Sequence, residues 1–312
     1  MATSGSTNYT VNRDRMIVLA LKAAGKIADN ATPTASESQD CSDILNMMLK
    51  TLQADGLKLW LRKKATVFLK DGVNQYSLSS SGTHATYSYT RTTVKVSAVA
   101  GATTVDITST AGATAADFIG FVLDDGTSYW TTISTVTDSD TVTIPGSGLT
   151  SAATAGNYVY FFTTKIDRPL RVLQAFVRDS SGIDTPVRVI AQNDYMELSS
   201  KTSKGRVNQV HYDPQTSSGL LYVWPQTSSV TDTLELIVQR SVEDMDIGTN
   251  DFDIPSEWYE PVLYGLAERV AINFQATKSM VDKLTLRAAM SLKKVMDFDV
   301  ENTSMFFYPE IR

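Results

Sequence analysis

The hydrophobic period of the chain is helical at both ends and close to two in between, so terminal helices must accompany a central body of β-structure. Residues 11–30, VNRDRMIVLALKAAGKIADN, place Met16, Ile17, Leu19, Ala20, Ala23 and Ala24 on one helical face, with Gly25 weakening continuation. After Pro33, TASESQDCSDILNMMLKTLQADG offers Thr34 or Ser36 as a cap and Ile44, Leu45, Met48, Leu49 and Leu52 as an apolar stripe, which predicts a second helix ending near Gly56. From Thr66 the period shortens: TVFLKDGVNQYSL carries Asp71-Gly72, a good hairpin turn between short β-prone runs.

Residues 82–164 form a compositional island with 21 Thr in 83 residues, two cations (Arg91, Lys95) and six Asp, a local formal charge of -4. Its runs VKVSAVA, TTVDITS, DFIGFVLDDG, SYWTTISTV, DTVTIPG and NYVYFF carry β-branched and aromatic residues separated by Asp, Gly and Ser turns, which predicts an inserted β-domain. The runs RPLRVLQAFVRD, TPVRVIAQNDYMEL, GRVNQVHYD, GLLYVWPQ and DTLELIVQRSV then read as strands that continue the sheet begun at Thr66. In FDIPSEWYEPVLYGLAERVAINF, Ser256 is the expected cap, and Val262, Leu263, Leu266, Ala267, Val270, Ala271 and Phe274 form a stripe. A second run from Met280 to Met296 includes Leu284, Leu286, Ala288, Ala289, Leu292 and Val295.

The expected fold is α+β, with N- and C-terminal helices forming a helical domain, a discontinuous β-sheet domain and an inserted all-β domain. By residue, the expected division is 1–65 and 250–298 helical, 66–81 and 166–249 β-rich, 82–165 inserted, and 299–312 a C-terminal tail.

Cysteine and histidine usage limits the chemistry. Cys41 is the single cysteine, and His84 and His211 are the two histidines, so disulfide scaffolds and thiolate or histidine-rich zinc sites fall away, and no cofactor is expected. The N-terminal residues lack the regions of a secretory signal, and no segment has eighteen consecutive apolar residues, so no membrane partner is expected. The nucleophile-elbow, zincin, P-loop and dinucleotide fingerprints do not occur. His211 can pair with Asp213 but reads first as a sheet or turn histidine. Asp124 and Asp125 before Gly126 read as a turn, with a hard-cation site the alternative. Glu257 and Glu260 suit the positive end of a helix, where they need no glycosidase role.

Lys58, Arg62, Lys63 and Lys64 surround Trp60, a grouping that suits a subunit-facing surface more than direct DNA contact. Lys201, Lys204 and Arg206 lie in a loop-like run and are the candidate DNA-channel contacts. The final residues Met305, Phe306, Phe307, Tyr308, Pro309 and Ile311 concentrate apolar surface at the chain end, as a docking tail or a fold-back segment would.

Three segments, NRDRMIVLALKAAGKI, SDILNMMLKTLQADGLKLW and above all FDIPSEWYEPVLYGLAERVAINF, resemble the head-to-tail adaptor family of short-tailed phages, which includes packaged-DNA stabilisation and tail tubular or gatekeeper proteins. The resemblance covers roughly residues 9–80 and 166–298, with 82–164 as an insertion. It implies a twelve-subunit ring below the portal protein that continues the DNA channel, touches transiting double-stranded DNA without sequence preference, and carries distal tail or nozzle proteins. It also implies assembly in the host cytoplasm and a place at the head-to-tail junction of the virion. Trp60, Pro255, Trp258 and Tyr259 occupy matching positions; Trp60, Arg62, Trp258 and Tyr259 are the expected subunit-interface residues, and residues 298–312 take the place of the family's portal-docking tails. The net charge of -6, multiplied around such a ring, would discourage phosphate from sticking. The expected function is therefore a non-enzymatic connector. The alternatives are a peptidoglycan or glycan hydrolase of the tail, and a carbohydrate-binding tail module stacking sugars on Trp130, Tyr129 and Tyr158.

Overall fold

In the computed structural model, which describes residues 5–7, 9–54, 56 and 59–299, the chain divides into two compact units, Met1–Leu61 with Val242–Arg312, and Arg62–Ser241. The fold is α+β, with helices at both ends of the chain and a large discontinuous sheet joined by smaller inserted ones.

The first unit is helical. Helix α1 (Arg13–Ala23) starts at Asn12, whose side chain accepts from the Arg15 N–H at 2.9 Å, and it stops before Gly25, where φ is 72°. Helix α2 (Ala35–Ala54) is capped by Thr34, the first of the two expected candidates. Thr34 Oγ1 accepts from the Glu37 N–H at 3.2 Å, and Glu37 Oε2 accepts from the Thr34 N–H at 2.9 Å, a reciprocal capping box. That exchange holds the Glu37 carboxyl below its ordinary range, with Lys26 adding attraction. Helices α4 (Tyr259–Asn273) and α5 (Lys278–Phe298) form the C-terminal pair. The expected cap of α4 is corrected: Ser256 opens a 3-10 turn, Ser256–Trp258, and makes no side-chain cap. Pro255 sets this entry, and the Trp258 N–H donates to its carbonyl at 3.0 Å. Met16, Ile17, Leu45, Leu49, Leu266 and Val270 meet in one buried cluster, a common core for the stripes read from sequence, with Leu21 in the place expected for Leu19, which is half-buried outside it. Leu286 does not join them. It is 63% exposed, because two helical residues turn it about 200° from buried Leu284.

The second unit begins with β1 (Arg62–Phe68), β2 (Gln75–Leu78) and β3 (Ala85–Thr86). After the island come β11 (Arg171–Arg178), β12 (Asp184–Val189), helix α3 (Gln192–Glu197), β13 (Lys204–Gly205), β14 (Gln209–Pro214), β15 (Gly219–Trp224), β16 (Gln226–Thr227) and β17 (Thr233–Gln239). Eight strands form the main sheet in the order β2-β15-β14-β12-β11-β17-β1-β3. Its end strands β2 and β3 are joined by one short loop, and the Thr83 N–H donates to the Ser77 carbonyl at 2.7 Å, so the sheet curls until its edges nearly meet. Val67, Tyr76, Leu78, Val210, Leu221 and Leu236 fill the inside.

This closure corrects the hairpin expectation. Asp71-Gly72 does make a turn, with Gly72 at φ 69°, but β1 pairs with β17 and β3 while β2 pairs with β15. The run read as one strand over TPVRVIAQNDYMEL is also corrected: β12 ends at Val189, and α3 supplies the crossover that the parallel β12–β14 pair requires. Glu235 is fully buried on β17 and is met by Lys64 Nζ at 3.1 Å, Thr66 Oγ1 at 2.8 Å and Thr233 Oγ1 at 3.1 Å, so its charge is paired and hydrogen-bonded.

The island contains two small sheets. One has the order β4 (Thr90–Thr93), β10 (Tyr158–Phe162), β6 (Phe118–Val122), β7 (Ser128–Thr132); the other runs β5 (Thr104–Asp106), β9 (Thr141–Thr143), β8 (Thr135–Val136). Ile107, Ile119, Phe121, Val142, Val159 and Phe161 give it a core of its own. The strand expected over VKVSAVA is replaced by single bridges, Val94 to Ile107 and Ala98 to Ala153. Phe68 of β1 packs with Val122, Tyr160, Phe162 and Val230, an aromatic seam that joins island and main sheet.

Candidate interaction surface

An apolar groove of about 600 Å³ opens between α2, α4 and α5 of the helical unit, with Met48, Leu52, Val262, Gly265, Ala288 and Leu292 along its walls. Its depth follows from small residues. A Cβ on Gly265 would lie 3.0 Å from Met48 Sδ, so glycine lets α2 approach α4 closely, while Ala288 and Ala289 keep α5 low on the facing side. Two polar contacts brace the rim: Thr285 Oγ1 donates to Glu268 at 2.8 Å, and Arg269 donates to the Gly265 carbonyl at 2.9 Å. The groove can seat an apolar side chain or short segment, and its two charged lining residues, Glu268 and Arg269, are held by Thr285 and the Gly265 carbonyl.

Trp258 and Tyr259, read as interface residues, are buried in the helical core, and Trp60 packs on Trp258 with ring centroids 5.8 Å apart. Tyr259 also meets the Phe252 and Tyr9 rings. Arg62 opens β1 in the other unit. The basic grouping read around Trp60 is dispersed: Lys63 lies 4.3 Å over the Tyr87 ring, Lys64 is held by Glu235, and Lys58 lies outside the described residues. Met305, Phe306, Phe307, Tyr308, Pro309 and Ile311 also lie outside them.

The three candidate DNA contacts are already engaged. Lys201 donates to the carbonyls of Tyr195 and Leu198 at the end of α3 and sits over the Tyr195 ring at 4.3 Å. Lys204 bonds both Asp71 oxygens, at 2.7 and 2.9 Å. Arg206 stands 3.9 Å from both Asp179 and Asp232.

The residues weighed for catalysis have structural partners. Asp124 accepts from the Thr154 N–H and hydroxyl and from Asn157 Nδ2, which lowers its pKa, and Asp125 accepts from Thr127 in an Asx turn. Glu260 faces Arg287 at 3.6 Å. His211 is buried beside the Tyr195 and Tyr222 rings, which also touch each other, with Nδ1 3.2 Å from the Ile190 carbonyl, while Asp213 is taken by Gln215 Nε2 at 2.6 Å. Burial pushes the Cys41 thiol up to about 11, away from nucleophilic use. Among the described residues, no group of three or more His, Cys, Asp or Glu side chains is placed to hold a metal ion. No described helix is long and apolar enough to cross a membrane.

Trp130, weighed as a sugar platform, is packed against its own unit. His84 stacks on its indole at 4.4 Å and 15°, and Gly120 lies close to the ring, where a Cβ would fall 2.5 Å from it. Tyr158 lies under the Arg91 guanidinium, 5.0 Å from the ring centre. The groove itself escapes sequence reading because its walls come from three helices; the small residues Gly265, Ala288 and Ala289 were its one legible trace. No protein-family model matches the chain, and no curated protein sequence matches it.

Proposed function

We propose that the chain is a structural, non-enzymatic connector of a short-tailed phage virion, assembling as a ring below the portal protein, continuing the DNA channel and carrying distal tail proteins. The observation that carries this reading is the open apolar groove of the helical unit, which lies within the segments that resemble head-to-tail adaptors. Apolar surface of this kind is costly to leave in water, and an apolar segment of the portal protein is the occupant the reading requires. The engagement of Lys201, Lys204 and Arg206 by internal carboxylates and carbonyls supports a channel along which DNA moves, since tight phosphate binding would first have to break those contacts.

Ala289→Glu tests the groove, because it places a charge on the wall at an exposed helical position. Co-sedimentation with portal protein should weaken by about tenfold or more, the loss expected when an interface anchor is spoiled, while the melting temperature holds within a few degrees. Undiminished portal binding by a folded variant would count against the reading.

A further inference from the structure

The helical unit carries two complementary stripes on different helices, and we infer that a second copy of this chain docks one against the other, head to tail. Lys283, Leu286, Arg287, Met290 and Lys294 recur on α5 at spacings that put them on one side, about 165° around the helix from the groove residues Thr285, Ala288, Ala289 and Leu292. Leu286 is 63% exposed and Met290 56%, so this side alternates cations with uncovered apolar side chains. Glu260 facing Arg287 leaves the stripe basic.

The second stripe mirrors the first. Asp40, Asp43 and Met47 lie on the outer side of α2, and Met47, 63% exposed, borders a shallow depression with Asp244 and Asp246. Ile247, 62% exposed, follows directly, and Lys50 neutralises Asp244 at 2.6 Å while the other three carboxylates keep the stripe acidic. Each stripe offers two exposed apolar side chains within a net charge of one sign: Leu286 and Met290 where cations outnumber Glu260, Met47 and Ile247 where carboxylates outnumber Lys50.

Opposite signs and paired apolar side chains satisfy both requirements of a protein contact, steering by charge and burial of apolar area. A DNA duplex would use the cations and leave Leu286 and Met290 without a partner. Because the stripes sit on different helices, each copy uses one toward each neighbour, a heterologous contact that propagates or closes. This pairing rests on the connector reading for its purpose but not for its geometry.

Sedimentation velocity of the full chain tests it, with Lys283→Glu/Arg287→Glu/Lys294→Glu and Asp40→Lys/Asp43→Lys/Asp246→Lys as variants. The unsubstituted chain should associate as concentration rises and dissociate as salt rises. Each variant alone should remain monomeric, and an equal mixture should associate again, because the acidic stripe of one meets the basic stripe of the other. Mixing Met47→Cys with Met290→Cys chains and adding a bismaleimide gives a readout without charge change, with a cross-linked pair expected. An unsubstituted chain monomeric to concentrations on the order of 1 mM, variants that associate undiminished, an uncross-linked mixture, or duplex binding on the α5 stripe without self-association would each overturn the inference. A ring that forms on the portal without these stripes would remove this pairing and leave the connector reading; a chain that self-associates but never meets a portal would do the reverse.

Discussion

His84 lies flat on Trp130 among Phe118 and Phe162, and its burial there, aided by the charges of Lys165 and Lys70, pushes its pKa down to about 3. The unfolded chain binds that proton near the ordinary histidine value of about 6.5. Stability from this site is therefore complete above that value and is lost as pH falls toward the folded value, because only the unfolded state gains the proton. The melting temperature of the β-rich unit should fall between about pH 7 and pH 5, and His84→Phe should flatten that slope. A slope unchanged by the substitution would mean that the imidazole is solvated in the folded protein. Neither the burial nor the stacking of His84 was legible in sequence, since its ring partners come from strands 34 to 78 residues further along.

At the scale of elements, what was legible had a local cause. The Thr34-Glu37 box closes within one helical turn, and its loss in Thr34→Ala should cost about 1 kcal/mol in denaturant unfolding of the helical unit; no change would show that the cap is replaced by water. The apolar stripes of α1, α2 and α4 were legible for the same reason, because a 3.6-residue period needs no partner to be read. What failed depended on distant chain. Asp71-Gly72 makes its turn, but pairing is decided by β17 and β15, more than a hundred residues away, whose registers give β1 and β2 better partners than each other. QNDYME looked like the end of a strand, and it is helical because a parallel neighbour demands a crossover. Leu286 was grouped by type with the apolar members of its run, although its phase places it with Met290 on the outer side.

For the whole molecule, the terminal helices come together as one unit although more than two hundred residues separate α2 from α4, so the β-rich unit is inserted in sequence between the two halves of the helical one. That arrangement suits a connector: apolar groove and charged stripes reside on the helical unit, while the Thr-rich island extends the other unit without interrupting the main sheet. Removing residues 301–312 should weaken portal co-sedimentation while leaving the melting of residues 82–164 unchanged, since the island has a hydrophobic core of its own; unchanged portal affinity would remove the tail from docking. The most direct measurement is electron cryomicroscopy of purified portal protein incubated with this chain. A closed ring of copies coaxial with the portal, with the helical units against it, is the expected result. A portal free of the chain at saturating concentration, or copies bound without a common axis, would contradict the account.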